Sequence, residues 1–377
     1  MLQREISEKK FQMDSLDGLR GFAALLVVLS HTSRRDMLFI PFLDLSGIGK
    51  SGVFLFFLLS SFLLTLSLLR KGRKIFTYPC ISHYWQRRFF RIYPLYTLYL
   101  LLAVVSSWVV TIFIGENGIP IPFYLNLKGF IGHIFLLRGR GVTWSIAVEF
   151  KLYFILPILA LLITYIRSYG HKATYTTFCI LMIASQIISP QSESLVNDTR
   201  LLPYMPVFIT GIFLAVIHEQ INANKPSKKV KNTLKWLGLF GIVGIILMTP
   251  LVFSLLIQSV PQSYFHKQFI LYSLLWSFII LSAVNVNGMV QTIFTFKLLR
   301  FYGAISFGLY LFHPIFIDVL NIAEINGYLS AWLVLFASTI TAYMSFQFLE
   351  GPISKYKINI NSPTTIVNKI KRFTQTK

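Results

Sequence analysis

Long apolar runs separated by short polar segments recur along almost the whole chain. Their length matches the roughly 20 apolar residues that a helix needs to cross a bilayer, so they predict membrane-spanning helices. Segment 123–138 is shorter and more polar, and we expect it to lie on the outer side as a partly embedded or re-entrant element. The pattern therefore predicts an all-α polytopic membrane protein with about ten transmembrane helices, at approximately 16–33, 51–69, 93–114, 143–165, 174–190, 201–217, 236–256, 267–285, 300–320 and 328–350.

Basic residues concentrate in alternate polar segments. If the N-terminus is inside, the segments containing RKGRK, RRFFR and KPSKKVKNTLK and the basic C-terminal tail all fall on the same side. Lys and Arg collect in cytoplasmic loops, so both termini are expected to be cytoplasmic. The chain then divides into a cytoplasmic N-terminal tail (1–15), one transmembrane domain (16–350) and a basic cytoplasmic tail (351–377).

The composition supports the membrane assignment and narrows the partners. Of the 377 residues, 55% are hydrophobic and only 13% are charged, whereas a soluble domain has about 25% charged residues. The net charge of +21 would suggest nucleic acid in a soluble protein. In a membrane protein the positive charge reflects topology, and no nucleic-acid partner is expected.

The two cysteines and seven scattered histidines show no metal-ligand spacing, so no metal site is predicted. The first apolar run lacks a following cleavage site and is expected to be an uncleaved anchor.

The first predicted helix carries three ionisable residues, Asp17, Arg20 and His31. Arg20 and His31 lie about 16 Å apart along a helix, and helical periodicity returns them to within about 20° of one face. Asp17, one turn before Arg20, shares that face. Ionisable groups at this depth are costly toward lipid, so we expect the stripe to face a polar cavity.

Glu149 lies about a turn and a half inside the outer end of the fourth predicted helix, at a depth similar to His31. A carboxylate that orients an imidazole can activate a hydroxyl group, with the imidazole as general base. The sequence thus predicts that His31 is a base and that Glu149 orients it. Two structural alternatives stay open. His31 would simply lie at a helix end close to water, and Glu149 would form a structural ion pair with Lys or Arg.

Arg88 and Arg91 precede the third predicted helix and lie one turn apart. Paired guanidinium groups suit phosphate oxygens, but basic residues at this position also serve as ordinary topological anchors. A second membrane histidine, His313, follows the small residues Gly303, Ser306 and Gly308. Small residues allow close helix packing, so a structural role for this stretch is as well supported as a catalytic one.

Five stretches, taken in order, resemble membrane acyltransferase family 3, whose multi-helix enzymes decorate bacterial surface glycans. They are LDGLRGFAALLVVLSH, GVFLFFLLSSFLLT, the R-x-x-R pair before YPLY, TWSIAVEFKLYF and GAISFGLYLFHPI. Ser61 stands where the family commonly has glycine, which would alter the packing of the second helix. The resemblance implies that His31 and Glu149 are catalytic and that Arg20, Arg88 and Arg91 bind the acyl donor. It implies supporting or acceptor-side roles for Asp17, Trp144, Ser145, Tyr310 and His313.

The resemblance implies an O-acyltransferase in the bacterial cytoplasmic (inner) membrane. It would transfer an acyl group from cytoplasmic acyl-CoA, usually acetyl-CoA, to a hydroxyl of a cell-surface polysaccharide or its lipid-linked precursor. Acyl-CoA would be a co-substrate, with no permanently bound cofactor. The chain is expected to lack the extracytoplasmic domain fused to some relatives. Acceptor selectivity would then come from the membrane domain, a separate extracytoplasmic partner or a homo-oligomer. The competing class is a transporter or flippase of lipid-linked glycans, for which paired halves with broken helices would be more typical.

Overall fold

The computed structural model describes residues 2–113, 115, 118–224, 226–257, 261–325 and 327–355. These residues form helices and connecting loops, with no strand among them. A π-helical turn, Phe346–Glu350, joins the last two helices. The α-helices are α1 (Leu2–Ser33), α2 (Gly49–Leu69), α3 (Tyr78–Phe113), α4 (Leu127–Ile134), α5 (Thr143–Arg167), α6 (His171–Ile188), α7 (Met205–Ala223), α8 (Lys228–Leu247), α9 (Pro250–Leu256), α10 (Gln262–His266), α11 (Phe269–Asn285), α12 (Met289–Phe294), α13 (Lys297–Ala304), α14 (Ser306–Ile322), α15 (Tyr328–Ser345) and α16 (Gly351–Lys355).

Six of the described helices are long and apolar enough to cross a membrane: α2, α3, α5, α7 with the turn before it, α8, and α15 continued to Ser354. Helices α13 and α14 bend by 79° at their junction and make a seventh if they form one span. Helix α11 is apolar but shorter. The chain is therefore a helical protein with several candidate membrane spans, while the count of ten stays a prediction.

Four predicted boundaries differ from the structure. Helix α3 begins at Tyr78, well before the predicted start at residue 93, and Pro94 lies inside it. The prediction followed the apolar run, and the polar turns before residue 93 extend the same helix. The predicted span 236–256 is divided between α8 and α9, and the predicted span 300–320 is divided between α13 and α14. The described part of α1 reaches back to Leu2, so no helix end separates the predicted N-terminal tail from the membrane domain. Most of the predicted C-terminal tail, 356–377, lies outside the described residues.

Helix α1 packs against α2, α11, α13 and α14 near the centre of the molecule. Its contact with α13 is unusually close. A Cβ atom built on Gly21 would lie 1.9 Å from the Leu299 carbonyl oxygen, and one built on Gly303 would lie 1.9 Å from the Asp17 carbonyl oxygen. Only glycine permits this approach of two backbones. The close contact holds the polar residues of α1 at a defined depth beside α13.

Helix α2 is buried along most of its length and contacts α1, α5, α7 and α11. Ser61 is fully buried in it, and its hydroxyl donates to the carbonyls of Phe57 and Leu58. A Cβ atom on Gly211 of α7 would lie 2.0 Å from the Ser61 Oγ. The serine that departs from the family pattern is therefore accommodated by a glycine on the facing helix.

The segment predicted as re-entrant contains the short helix α4, capped by the Asn126 side chain, which accepts from the Gly129 amide at 2.8 Å. Two tyrosines of α3 hold its C-terminal turn. The Tyr96 hydroxyl donates to the His133 carbonyl and the Tyr93 hydroxyl donates to the Ile134 carbonyl. The segment is thus anchored to α3, and its embedding in a membrane stays a prediction.

Candidate active site

A cavity of about 430 Å³ opens where α1 ends and where α2 and α5 begin. The middle of α14 forms a further part of its wall. Three predicted site residues, His31, Trp144 and Tyr310, line the cavity. The other polar or charged side chains in the wall are Ser30, Arg34, Arg35, Lys50, Tyr99, Asn197, His266 and Asp318.

The two membrane histidines form a pair in which His31 lines the cavity and His313 lies buried behind it. His31 Nδ1 lies 2.8 Å from His313 Nε2, and the rings are stacked with centroids 5.0 Å apart. His313 is fully buried, and its Nδ1 lies 3.0 Å from the Leu309 carbonyl oxygen. The resemblance gave His313 a supporting role, and the structure brings it into direct contact with His31.

This geometry selects one arrangement of protons for the neutral pair. A carbonyl oxygen only accepts, so His313 Nδ1 carries the hydrogen and donates to Leu309. His313 Nε2 is then the acceptor, and His31 Nδ1 must donate to it. The remaining nitrogen of His31, Nε2, keeps its lone pair, which is the state that a general base requires.

The remaining predicted cavity residues join α5 to α14. The Tyr310 hydroxyl donates to the Val142 carbonyl at 3.0 Å and lies 2.8 Å from the Ser145 hydroxyl. Lys50 Nζ sits 3.7 Å from the centroid of the Trp144 ring, a cation–π contact. Trp144 therefore forms part of the wall, while Ser145 and Tyr310 hold the start of α5 against α14.

The predicted pairing of Glu149 with His31 requires correction. Glu149 Oε1 accepts a hydrogen bond from the Tyr153 hydroxyl at 2.5 Å, whereas His31 bonds to His313. Trp144 shares the cavity with His31, and Glu149 lies five residues further along α5, about 7.5 Å deeper. Counting residues from predicted helix ends placed the two side chains at the same level, but α1 ends beside the first turn of α5.

Glu149 belongs instead to a second cluster, formed with arginines of α1 and α3. The Arg88 guanidinium lies 5.9 Å from the centroid of the Tyr153 ring, and Glu149 is within its electrostatic range. The Tyr153 hydroxyl also lies 3.2 Å from that of Ser60. Lys151, the nearest cation in sequence to Glu149, donates to the Thr199 carbonyl instead. The alternative that Glu149 balances an arginine thus fits the structure better than a partnership with His31.

The three arginines predicted to bind the donor gather in this cluster. Arg20 lies 3.7 Å from Asp17, its neighbour one turn before, and within electrostatic range of Arg88 and Arg91. The buried Nε of Arg88 has no hydrogen-bond partner among the described residues. Three guanidinium groups close together, one with an unused buried donor, form a set that phosphate oxygens would satisfy. Helix α1 therefore carries residues of both clusters, with Arg20 and His31 separated by about 16 Å of helix.

Sequence reasoning missed three residues near these clusters. Lys50 and His266 line the cavity, and Glu350 lies within electrostatic range of Arg91. Burial, with the positive charges of Lys50 and Arg34, lowers the pKa of His266 to about 4. A lone lysine opening an apolar helix was a usable signal for Lys50. His266 lies far from the recognised stretches in sequence, and only the folding of α10 against α2 brings it to the site.

Comparison with known proteins places the chain in a family. The family model described as "Acyltransferase domain" matches residues 13–346. The O-acetyltransferase OatA of Staphylococcus aureus strain NCTC 8325 / PS 47 is 26% identical over 366 residues, covering 91% of this chain and 57% of the relative. OatA of strain COL gives the same values. The chain thus spans less than two thirds of the length of these relatives. No solved structure matches.

The family match covers all five stretches on which the resemblance rested and confirms it. It also includes both clusters described above, from Asp17 to His313. The chain therefore belongs to the membrane acyltransferase family that its motifs indicated.

Proposed function

We propose that the chain is an integral membrane O-acetyltransferase. It transfers an acetyl group from acetyl-CoA to a hydroxyl of a cell-surface polysaccharide or of its lipid-linked precursor. The observation that carries the proposal is the hydrogen-bonded pair of His31 and His313, of which His31 lines an open cavity. The names of the OatA relatives supply the O-acetyl part of the proposal.

In this proposal the arginine cluster binds the donor. Arg20, Arg88 and Arg91 hold the phosphates of CoA, and Glu149 with Tyr153 keeps Arg88 in place. The orphaned Nε of Arg88 supports this role, because a buried donor without a partner costs about 1–3 kcal/mol unless a ligand satisfies it. The thioester arm then extends along α1 toward His31, over the separation of about 16 Å.

The acceptor hydroxyl enters the cavity and gives its proton to His31 Nε2. Its oxygen bonds to the acetyl carbon while the carbon–sulfur bond breaks, and the departing CoA thiolate takes the proton from His31. His313 is a positioning residue in this scheme. Its Nε2 accepts a hydrogen bond from His31 Nδ1, and its Nδ1 donates a hydrogen bond to the Leu309 carbonyl. It orients His31 without a carboxylate.

The enzyme lies in the bacterial cytoplasmic membrane with both termini inside and about ten spans. The arginine cluster then faces the cytoplasm, where acyl-CoA is made, and the histidine cavity faces outward, where the glycan is. The basic segments RKGRK and KPSKKVKNTLK support this orientation. A separate extracytoplasmic partner or a second copy of the chain is a further proposed contributor to acceptor selection.

The experiment follows radiolabelled acetyl groups from acetyl-CoA into glycan in proteoliposomes supplied with lipid-linked glycans. We expect labelling with the wild-type chain and a loss of about 10²–10⁴-fold with His31→Ala, the usual value of general-base assistance. Mass spectrometry of surface glycans with and without the gene should show the difference of one acetyl group per modified sugar. Glycan movement across the bilayer without acetyl-CoA consumption would contradict the proposal and favour the transporter class.

A further inference from the structure

The cavity wall holds more positive than negative charge. Among the described residues, no carboxylate lies within ion-pair distance of Lys50 or Arg34. The ion pairs of this part of the chain are all formed by other residues. Lys50 Nζ donates only to the neutral amide of Asn197, at 2.8 Å. Asp198 is the acidic residue whose charge acts on Lys50, but its carboxylate is bound by Arg200. Burial would raise the pKa of the Asp198 carboxyl, and hydrogen bonds from Arg200 hold that pKa below its usual range.

The one carboxylate among the described residues of the wall leaves this excess in place. Asp318 lies within electrostatic range of Arg35, a third cation of the wall. If Asp318 balances Arg35, the charges of Lys50 and Arg34 remain uncompensated. Lys50 is partly buried, and a partly buried cation without a counter-ion is destabilising unless an anion accompanies it. Arg34 is exposed and adds its positive charge to the wall.

Two helix N-termini add to the positive potential. Helices α2 and α5 both begin at the cavity, and Gly47, Gly49, Gly141 and Val142 of these two starts line it. In neither helix does the side chain of the N-cap residue, Ile48 in α2 or Val142 in α5, accept a hydrogen bond from the first turn. The dipoles of such ends favour anions. Some of the first amides are already used, since Gly47 N donates to the Ser30 hydroxyl and Thr143 N donates to the Arg140 carbonyl.

A nitrogen without a partner also lines the cavity. His266 Nδ1 is buried and makes no hydrogen bond within the described part of the chain. Because its pKa is lowered, the ring is neutral near pH 7 and adds hydrogen-bonding capacity but no charge. The site therefore combines uncompensated cations with an unused neutral partner for a hydroxyl group.

We propose that the acceptor is an anionic glycan, whose carboxylate or phosphate binds Lys50 and Arg34 while a neighbouring hydroxyl reaches His31. The proposal rests on the proposed function and names the class of its acceptor. The main alternative is that the cations act only on His31, by keeping its ring uncharged. That alternative predicts no preference between charged and neutral sugars.

The test measures thermal stabilisation of the detergent-purified chain by three probes: methyl glucuronide, glucose 6-phosphate and the neutral methyl glucoside. Wild-type protein should be stabilised by one or both anionic sugars and not by methyl glucoside at equal concentration. Stabilisation by the glucuronide alone identifies a carboxylate on the acceptor, and stabilisation by the phosphate alone identifies a phosphate.

Lys50→Met and Arg34→Gln should each weaken the binding of the anionic sugar about tenfold or more, the effect of losing one charge-assisted hydrogen bond. Lys267→Gln is the matched control. It removes a cation next to His266 in sequence whose Nζ donates to the Ser192 carbonyl, outside the cavity wall. Equal stabilisation by methyl glucoside, no stabilisation by either anionic sugar, or unchanged binding in both cavity variants would overturn the proposal.

Stabilisation by CoA is measured on the same samples, because it reports the arginine cluster and not the cavity. CoA should stabilise Lys50→Met as well as it stabilises the wild type, which shows that the variant is folded. If CoA has no effect on any sample while anionic sugars still bind, the proposed acyltransfer fails and the anion site stands. If CoA binds and the anionic sugars do not, the anionic acceptor fails and the acyltransferase proposal stands.

Discussion

At the scale of single residues, a chain of two imidazoles runs from the cavity to a backbone carbonyl. The Leu309 oxygen directs the proton of His313, and His313 directs the proton of His31. A carboxylate in the position of His313 would hold the charge of an imidazolium more strongly. The paired imidazoles therefore give His31 its orientation with little added basicity.

Substitution of His313 tests this arrangement. His313→Ala should lower kcat of acetyl transfer by about 10²-fold or more, because His31 loses the acceptor that selects its tautomer. His313→Gln should retain more activity, since an amide oxygen can accept from His31 Nδ1. The measurement is kcat against pH for both variants, with acetyl-CoA affinity as the control. Equal, small losses in the two variants and an unchanged pH profile would mean that His313 only fills space.

The arginine cluster makes a second prediction at the residue scale. The double substitution Arg88→Lys and Arg91→Lys keeps both charges but removes the planar fork that grips phosphate oxygens. We expect acetyl-CoA to bind about tenfold or more weakly, measured as Kd in detergent. The interaction should also weaken with added salt. Wild-type affinity in the double variant would support the alternative that these arginines are topological anchors.

At the scale of elements, close helix contacts set the depth of each polar group. The approach of α1 to α13 depends on Gly21 and Gly303, where any Cβ atom would meet a backbone oxygen. The α2–α7 contact is different, because the nearest obstacle facing Gly211 is the Ser61 side chain, with Oγ at 2.0 Å, although the Leu58 carbonyl oxygen follows at 2.7 Å. A side chain can be removed, which makes this contact testable by compensation.

Gly211→Ala should lower the free energy of unfolding by about 1–3 kcal/mol, the usual effect of overpacking. Adding Ser61→Gly should recover part of the loss, because it removes the Oγ at 2.0 Å, while the Leu58 carbonyl oxygen at 2.7 Å still crowds the new methyl group. Thermal or denaturant unfolding in detergent measures both variants against Ser61→Gly alone. Purely additive effects of the two substitutions would show that the residues do not share this space.

At the scale of the whole molecule, the proposed orientation in the membrane would place the two clusters toward two compartments. Cysteine labelling tests it after Cys80 and Cys179 have been replaced by Ser. Lys229→Cys, in the basic start of α8, should be protected from an impermeant thiol reagent added outside cells. Glu193→Cys, in the segment between α6 and α7, should react. Reaction of Lys229→Cys from outside in intact cells would refute the proposed topology.

Much of the architecture follows from local features of the sequence. The length of the apolar runs predicted helices because a bilayer leaves no partner for backbone groups outside a helix. It placed α2, α5 and α15 to within a few residues. The length of the apolar runs did not predict where a helix bends or is interrupted, as at the junction of α13 and α14. There the chain remains apolar through the break, so hydropathy alone carries no signal.

The sequence by itself singled out candidate site residues and the distance between those on one helix, because the rise of a helix converts sequence separation into length. It placed Arg20 and His31 far apart on one helix and identified His313. Only the tertiary structure decided their partners. Which residue faces which depends on the rotation and relative height of packed helices, and these are set by contacts such as Gly21 with Leu299. For that reason His31 meets His313, Glu149 joins the arginines, and Lys50 and His266 come to one cavity from segments distant in the chain.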